Sequence, residues 1–499
     1  MDRWIAAALD YVPRWLELQM RLTAQTGCAV AVAHRGGPVL ELALGHADVD
    51  ARARMTPRHR FRVASHSKTF TSVGVLKLRD AGRLRLDDPI GRVLDGLPKH
   101  VASLTYAQLM SHGSGLVRDG EDGRQWTLER PFKTRREVLD ELAGAPPLPP
   151  STRFKYSNHG YALLGMAVEA IAGEPWADWM LREVVRASGL DETLPDGPVP
   201  AGVPLAAAHT ALLPLGRRAA FPANVGSAAI APAGGFVSTA SDLVRFYASL
   251  DPGATRSVLS ADARREMARR LWPDPDSSIA RWYGLGTISN TFAGPDGPSW
   301  DGVGHSGVFP GCLTRTTHLA APELTVSVLT NAADGLCQPW LDGIVHVLRR
   351  FAAGGAPSRR TAAWVGRWWT PWMALDLVPM ADRVMVAVPS QLDPFLDAAA
   401  LEVQGRRGGE ALGTVVRDGG YGRHAEPARL IDGPDGRPAA LRLGGWRLEP
   451  EAAITASLKR RVAGRRRPGR PRPAATGVGG PVPPARAPPR GPGGGRPPP

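Results

Sequence analysis

Lysine is the scarce residue of this sequence. Only Lys68, Lys77, Lys99, Lys133, Lys155 and Lys459 stand among 61 basic residues in a chain of 499, the rest being arginine. An amine loses its proton when it is desolvated or set beside other cations, whereas a guanidinium effectively does not. A side chain that must accept a proton from a hydroxyl therefore has to be Lys rather than Arg. Cysteine is nearly absent as well: Cys28, Cys312 and Cys337 form an odd, widely spaced set without C-x-x-C, which indicates neither a disulfide framework nor a zinc site. Buried free thiols are expected. No stretch reaches the roughly 20 apolar residues that span a bilayer. The N-terminal run is broken by Asp10, Pro13, Arg14 and Glu17, too early for the apolar region of a signal peptide, so a reducing cytoplasm is the expected location. Acids are missing from the end of the chain. From Ser457 to Pro499 there are eleven basic residues and no Asp or Glu, so of the net charge of +14 only +3 belongs to the remainder. That leaves nucleic-acid binding by the folded part without an electrostatic footprint. The histidines are scattered, with no H-E-x-x-H, so no metal and no cofactor is expected.

What is present reads as a globular chain, too long for a single core, in three parts. Residues 1–26 have the periodicity of an amphipathic helix, and CAVAVAHRGGPVLELALGHAD reads as an antiparallel hairpin around Gly36-Gly37. An apolar helix of about four turns follows, with Ser65 at its start and Gly82 as its stop. Helices and Pro/Gly-rich connections fill about 100–250, β alternation returns over 301–332, and a helix runs from about Gly335 to Ala353. The expected fold is mixed α/β, an antiparallel sheet flanked by helices with a helical subdomain, over 1–357. Short strand patterns and the turn pairs Asp418-Gly419 and Asp435-Gly436 give 358–456 as a small β domain. The Arg/Pro/Gly-rich remainder, 457–499, has almost nothing apolar to bury and is expected to be disordered.

Three short motifs carry chemistry. In Ser65-His66-Ser67-Lys68 the i, i+3 spacing puts hydroxyl and amine on one helical face, one turn apart. Chance alone supplies such an S-x-x-K about 0.3 times in a chain of this composition, so the motif needs companions. Tyr156-Ser157-Asn158 is rarer, expected about 0.06 times by chance. A phenol beside an amine shares acid and base work, and a carboxamide holds both a substrate carbonyl and the lysine; the plain alternative is an Asn N-cap with Tyr in the core. At His305-Ser306-Gly307 a glycine would let an extended substrate approach the strand, and the N–H just after it would complete an oxyanion hole with that of Ser65.

In this order, and within FRVASHSKTFTSVGVLKLRDAGRLRLDDPI, LTYAQLMSHGSGL, RFKYSNHGYALLG, YGLGT and GHSGVFPGCLTRT, the motifs resemble those of the β-lactamase and penicillin-binding-protein superfamily. The resemblance is to its class C β-lactamase, esterase and D-aminopeptidase branch, over about 20–350. It implies a β-lactamase/transpeptidase-like fold and a serine hydrolase. Ser65 would be the acylated nucleophile, with Lys68 and Tyr156 as proton-transfer partners. Asn158 would orient substrate and lysine, with His305, Ser306 and Gly307 lining the site and Val308 giving the second oxyanion N–H. The substrate would be a small-molecule ester, amide or short peptide. Antibiotic-hydrolysing members commonly begin the third motif with Lys, and His305 stands there in this chain. Ester or D-amino-acid amide cleavage is therefore expected ahead of β-lactamase or D-Ala-D-Ala carboxypeptidase activity, or of a non-catalytic penicillin-recognising protein. The small β domain resembles the barrel appendages of D-aminopeptidase-like members, which can restrict the active-site mouth. A competing hydrolase reading rests on Gly304-His305-Ser306-Gly307-Val308, one residue short of a G-x-S-x-G elbow, which requires strand, serine turn and helix.

Overall fold

Hairpins build the centre of the molecule. Gly27–His34 pairs antiparallel with Gly37–Asp48, and the turn residues between them, Arg35 and Gly36, are both left-handed. Such a primed turn matches the twist of the strands; it lies one position ahead of the Gly36-Gly37 pair that the sequence suggested. A computed structural model describes residues 1–294, 297–420 and 422–465. In it a nine-stranded antiparallel sheet runs, edge to edge, through Ala53–Arg54, Gly37–Asp48, Gly27–His34, Leu324–Thr330, Cys312–Leu319, Trp300–Phe309, Ile288–Phe292, Arg281–Tyr283 and Trp272–Pro273. Strands far apart in the sequence meet inside it, where Gly27–His34 pairs with Leu324–Thr330.

These central strands are buried on both faces, and their alternation sorts side chains by size. Ala29, Ala31 and Ala33 point into one core cluster, with Phe70 of the helix His66–Asp80, Leu163 of Asn158–Ala172 and Phe246 of Ala240–Ser249. Cys28, Val30 and Val32 point into the other, against the helices Arg3–Leu22 and Cys337–Gly354. Small residues on the first face let a helix lie close. The same economy holds between helices: a Cβ at Gly165 would stand 2.1 Å from the ring of Pro232. The three cysteines are buried free thiols, each pushed up to about 12 by burial.

The carboxy-terminal β domain is a meander of eight strands from Gly366–Trp369 to Trp446–Leu448, each paired with the next. Reciprocal backbone hydrogen bonds between Trp369 and Glu449 (2.8 and 3.0 Å) bring the last strand back to the first and close it into a barrel-like form. Its interior is apolar, around Trp364, Trp368, Leu377 and Leu401. It also shares a core with the rest of the chain. Val378, Met380, Phe395 and Ala400 pack with Arg3–Leu22 and Cys337–Gly354, Trp15 donates to the Gln391 carbonyl (3.1 Å), and Arg367 donates to the Arg14 carbonyl (2.9 Å). Chain continues as a helix over Glu451–Arg465, past the point where disorder was expected to begin; 466–499 lie outside the described residues. Among the described residues no helix is long and apolar enough to cross a membrane.

Candidate active site

Ser65 occupies the N-cap position of His66–Asp80, yet its side chain does not cap the helix. Its Oγ is taken by the site: Tyr156 donates its hydroxyl to it at 2.8 Å, and Lys68 Nζ lies 3.2 Å away. The turn that delivers it is held in an uncommon conformation. Ala64 is left-handed (φ 47°) although it has a side chain, and the Ser67 hydroxyl and N–H both bond to its carbonyl, at 2.5 and 2.8 Å. A non-glycine residue there costs on the order of 1 kcal/mol, which the surrounding structure must hold in place.

The second motif arrives on another helix. Ser157, not Asn158, caps Asn158–Ala172, its hydroxyl accepting from the Gly160 N–H at 2.9 Å. That frees the Asn158 carboxamide, whose Oδ1 accepts from Lys68 Nζ at 2.7 Å, while the Ala233 carbonyl accepts from the same nitrogen at 2.8 Å. Lys68 has no exposed surface. The aromatic rings of Tyr156 and Tyr161 stand 4.6 and 5.5 Å from its nitrogen. Burial holds its amine well below the usual range, Asp119 opposing the shift and Arg118 adding to it. Burial likewise raises Tyr156, so its phenol keeps its proton.

The third motif lies on Trp300–Phe309. His305 is buried, with Nε2 3.0 Å from the Tyr283 hydroxyl, and burial holds it well below the usual imidazole range, so it is neutral. Ser306 and Val308 line the same cavity as Ser65. Gly307 is not among the cavity's lining residues, and a Cβ there would stand 2.2 Å from the Val63 carbonyl, so the strand makes room for the backbone leading to the nucleophile. The strand pairs with Ile288–Phe292 only as far as Gly304, which leaves one edge of 305–309 without a strand partner. Ser306 is followed by more strand and then by Cys312–Leu319, not by a helix, so the elbow reading lacks its geometry.

The cavity, of about 590 Å³, mixes polar and aromatic walls. Trp126, Phe154, Trp282 and Phe309 form its apolar part, and Arg118 and Arg281 its cationic part. All its lining residues fall between Ser65 and Ala333, so none of them comes from the barrel. Among the described residues no cluster of His, Cys, Asp or Glu is arranged to hold a metal ion.

Several residues of the site escaped sequence reasoning. Asp119 accepts from Asn158 Nδ2 at 2.6 Å and from Trp126 Nε1 at 2.9 Å. His112, left-handed at φ 61°, packs against the Tyr156 ring at 4.1 Å and takes the Ser157 N–H on Nδ1 at 3.1 Å. Tyr283 holds His305. Arg118-Asp119 directly follows LTYAQLMSHGSGLV, and that adjacency was the only available signal.

Comparison with known proteins shows the family and the fold. The family model described as beta-lactamase matches residues 14–336. Penicillin-binding protein 4 of Amycolatopsis lactamdurans is 30% identical over 325 residues, which are 61% of this chain and 80% of that protein. Among solved structures, the octameric penicillin-binding protein homologue from Pyrococcus abyssi has a TM-score of 0.60 at 20% identity, covering 88% of this chain and 99% of its own. D-amino acid amidase from Ochrobactrum anthropi SV3 has a TM-score of 0.57 at 24% identity, covering 69% and 97%. At these identities the two structures are alike in fold.

Proposed function

The chain belongs to the beta-lactamase family, and from its site we propose that it is a serine hydrolase that cleaves esters or amides through an acyl-enzyme on Ser65. One observation carries this reading: the hydrogen-bond inventory of Lys68. Two of its three polar contacts, Asn158 Oδ1 and the Ala233 carbonyl, only accept. A neutral amine has two N–H groups and one lone pair. With both N–H groups engaged, the lone pair faces Ser65 Oγ, the third contact. The amine is thus aimed as a base as well as kept neutral by burial.

In this mechanism the Ser65 proton passes to Lys68 as Oγ attacks the substrate carbonyl carbon. The oxyanion is met by the N–H groups of Ser65 and Val308. The N–H of Ser306 is donated to His305 Nδ1 (3.0 Å), and by strand alternation that of Val308 leaves on the same edge, toward the cavity. Tyr156, kept protonated and bonded to Ser65 Oγ, gives its proton to the leaving group and is replenished from Lys68. Water then attacks the acyl carbon, its proton returning by the same groups, and the acid departs. Ser306 and Val308 form the strand wall along which the substrate lies, with Gly307 seating that strand against Val63. With His305 neutral, the third motif offers no cation for the carboxylate of a β-lactam, which favours ester and amide substrates.

The test is labelling by a fluorophosphonate probe together with a panel of acyl esters, D-aminoacyl amides and β-lactams. Ser65→Ala is expected to abolish labelling and turnover while Ser306→Ala keeps labelling. The opposite pattern sinks the assignment. Turnover of β-lactams above the esters overturns the substrate preference alone.

A further inference from the structure

Resting on that reading of Ser65 and Lys68, the geometry points to Asp119 as a positioning residue, whose carboxylate holds the Asn158 amide in the one orientation that presents an oxygen to Lys68. An amide has two ends of similar shape, one donating and one accepting. A carboxylate only accepts, so Asn158 must turn Nδ2 to Asp119 (2.6 Å) and Oδ1 to Lys68 (2.7 Å). Reversed, the amide would offer Lys68 a donor, and the amine could meet it only with the lone pair that Ser65 requires. Orientation of one amide therefore decides whether the base is free to act.

Asp119 is itself braced from behind. Its Oδ1 also takes Trp126 Nε1 and its Oδ2 takes Arg118 Nε at 2.9 Å. Its backbone carbonyl accepts from Lys133 Nζ, and Lys133, 1% exposed, pairs with both oxygens of Glu141 at 2.6 and 2.7 Å. Glu141 also meets His159 Nε2 at 2.6 Å, while the Arg118 carbonyl accepts the Asn158 N–H at 2.9 Å. Asp119, Lys133, Glu141 and His159 do not line the cavity. A buried ion pair costs desolvation, and here it fixes the loop that fixes Asn158. Asp119 thus acts through Asn158 rather than on substrate.

The test is Asp119→Asn in the full chain, with a p-nitrophenyl ester as substrate. An amide at 119 pairs with Asn158 in either orientation, so kcat is expected to fall about 10- to 100-fold with KM within about threefold. The acid limb of the rate profile supplies the second readout. The charged groups bearing on Lys68 are Asp119, which favours the ammonium, and Arg118, which opposes it; His112 and His305 are neutral beside it. Removing the Asp119 charge moves the limb to lower pH, whereas a site merely loosened would hydrate Lys68 and move it higher. In an Asn158→Ala background, Asp119→Asn is expected to cost less than about twofold more. Asp119→Glu, still an acceptor only, is expected to keep more activity than Asp119→Asn, and remains informative if the latter fails to fold. Wild-type kcat in Asp119→Asn, a limb moved upward, additive losses in the double variant, or equal losses for Asn and Glu would each overturn the proposal. If Ser65→Ala and Lys68→Met retain turnover, the reading of the site fails instead; if both are inactive while Asp119→Asn is normal, only the role of Asp119 falls.

Discussion

The two faces of the nine-stranded sheet bury different things. On the face of Ala29, Ala31 and Ala33, the interior contains Lys68, His66, His112, Asn158 and His305. On the face of Cys28, Val30 and Val32 it contains Trp15, Trp340, Leu341, Ile344 and the inner edge of the barrel, and the polar groups buried beside them, among them Gln19, Arg315 and Arg349, are hydrogen-bonded to backbone carbonyls or to Asn290. Removing an amine and three imidazoles from water is unfavourable to their charged forms, and burial holds each of them neutral. The second face buries apolar side chains around polar groups that the site does not use. It offsets what the reactive face loses, with the barrel enlarging it rather than tending the cavity.

The strongest way to break this division is to show that chemistry does not live on the first face. Ser65→Ala and Lys68→Met are expected to lower kcat/KM for an activated ester by at least about 10³-fold, on the order of 4 kcal/mol of transition-state stabilisation. Thermal unfolding should show little loss for Ser65→Ala. Lys68→Arg should be as inactive and also less stable, because a larger, permanently charged group would enter a space that holds a neutral amine. If Lys68→Arg turns over the ester at a near-normal rate, the amine is not the base.

The converse test lies on the other face. Trp340→Ala, at a side chain with no exposed surface, is expected to cost about 3–5 kcal/mol of stability by denaturant unfolding. Among molecules that remain folded, kcat should stay within twofold. A fall in kcat that exceeds the loss of folded protein would show that the two faces are coupled.

Proton uptake sharpens the comparison with a smaller effect. Burial depresses His66 to about 3, and His112 and His305 also lie well below the usual imidazole value. Below pH 6.5 the unfolded chain therefore binds protons that the folded chain refuses. Their contribution to stability is complete above pH 6.5 and is lost as pH falls toward the depressed values, by at most about 1.4 kcal/mol per pH unit for each histidine. Urea unfolding between pH 7 and 4 should show this slope, and replacing His66 by an apolar residue should reduce it. An unchanged slope would place the acid sensitivity elsewhere.

Much of this division was legible in the sequence, because it is written in periodicity and rare residues. The hairpin, the helix after Ser65 and the barrel strands follow from alternation, and lysine scarcity marked Lys68. The brace around Asp119 was not legible. Arg and Asp are common, their partners are 14 and 39 residues away, and nothing periodic joins Lys133 to Asp119 or Asn158. Gly307 was singled out, but its neighbour, the carbonyl of Val63, lies far off in the chain. The placement of the barrel was hidden too, since it depends on Arg3–Leu22, at the opposite end of the sequence.

The smallest expected effect concerns the basic carboxy-terminal segment. Residues 457–499 carry eleven of the positive charges, yet every residue lining the cavity lies between Ser65 and Ala333. At physiological salt, charges are screened over about 8 Å, so cations outside the cavity lining bear little on a neutral base already shut away from water. Deletion of 457–499 is expected to leave kcat/KM for the ester within twofold, while any salt-sensitive retention on DNA falls with the lost charge. A tenfold loss of turnover would mean that the chemistry depends on more of the chain than one face of the sheet, and would undo the division from which these tests begin.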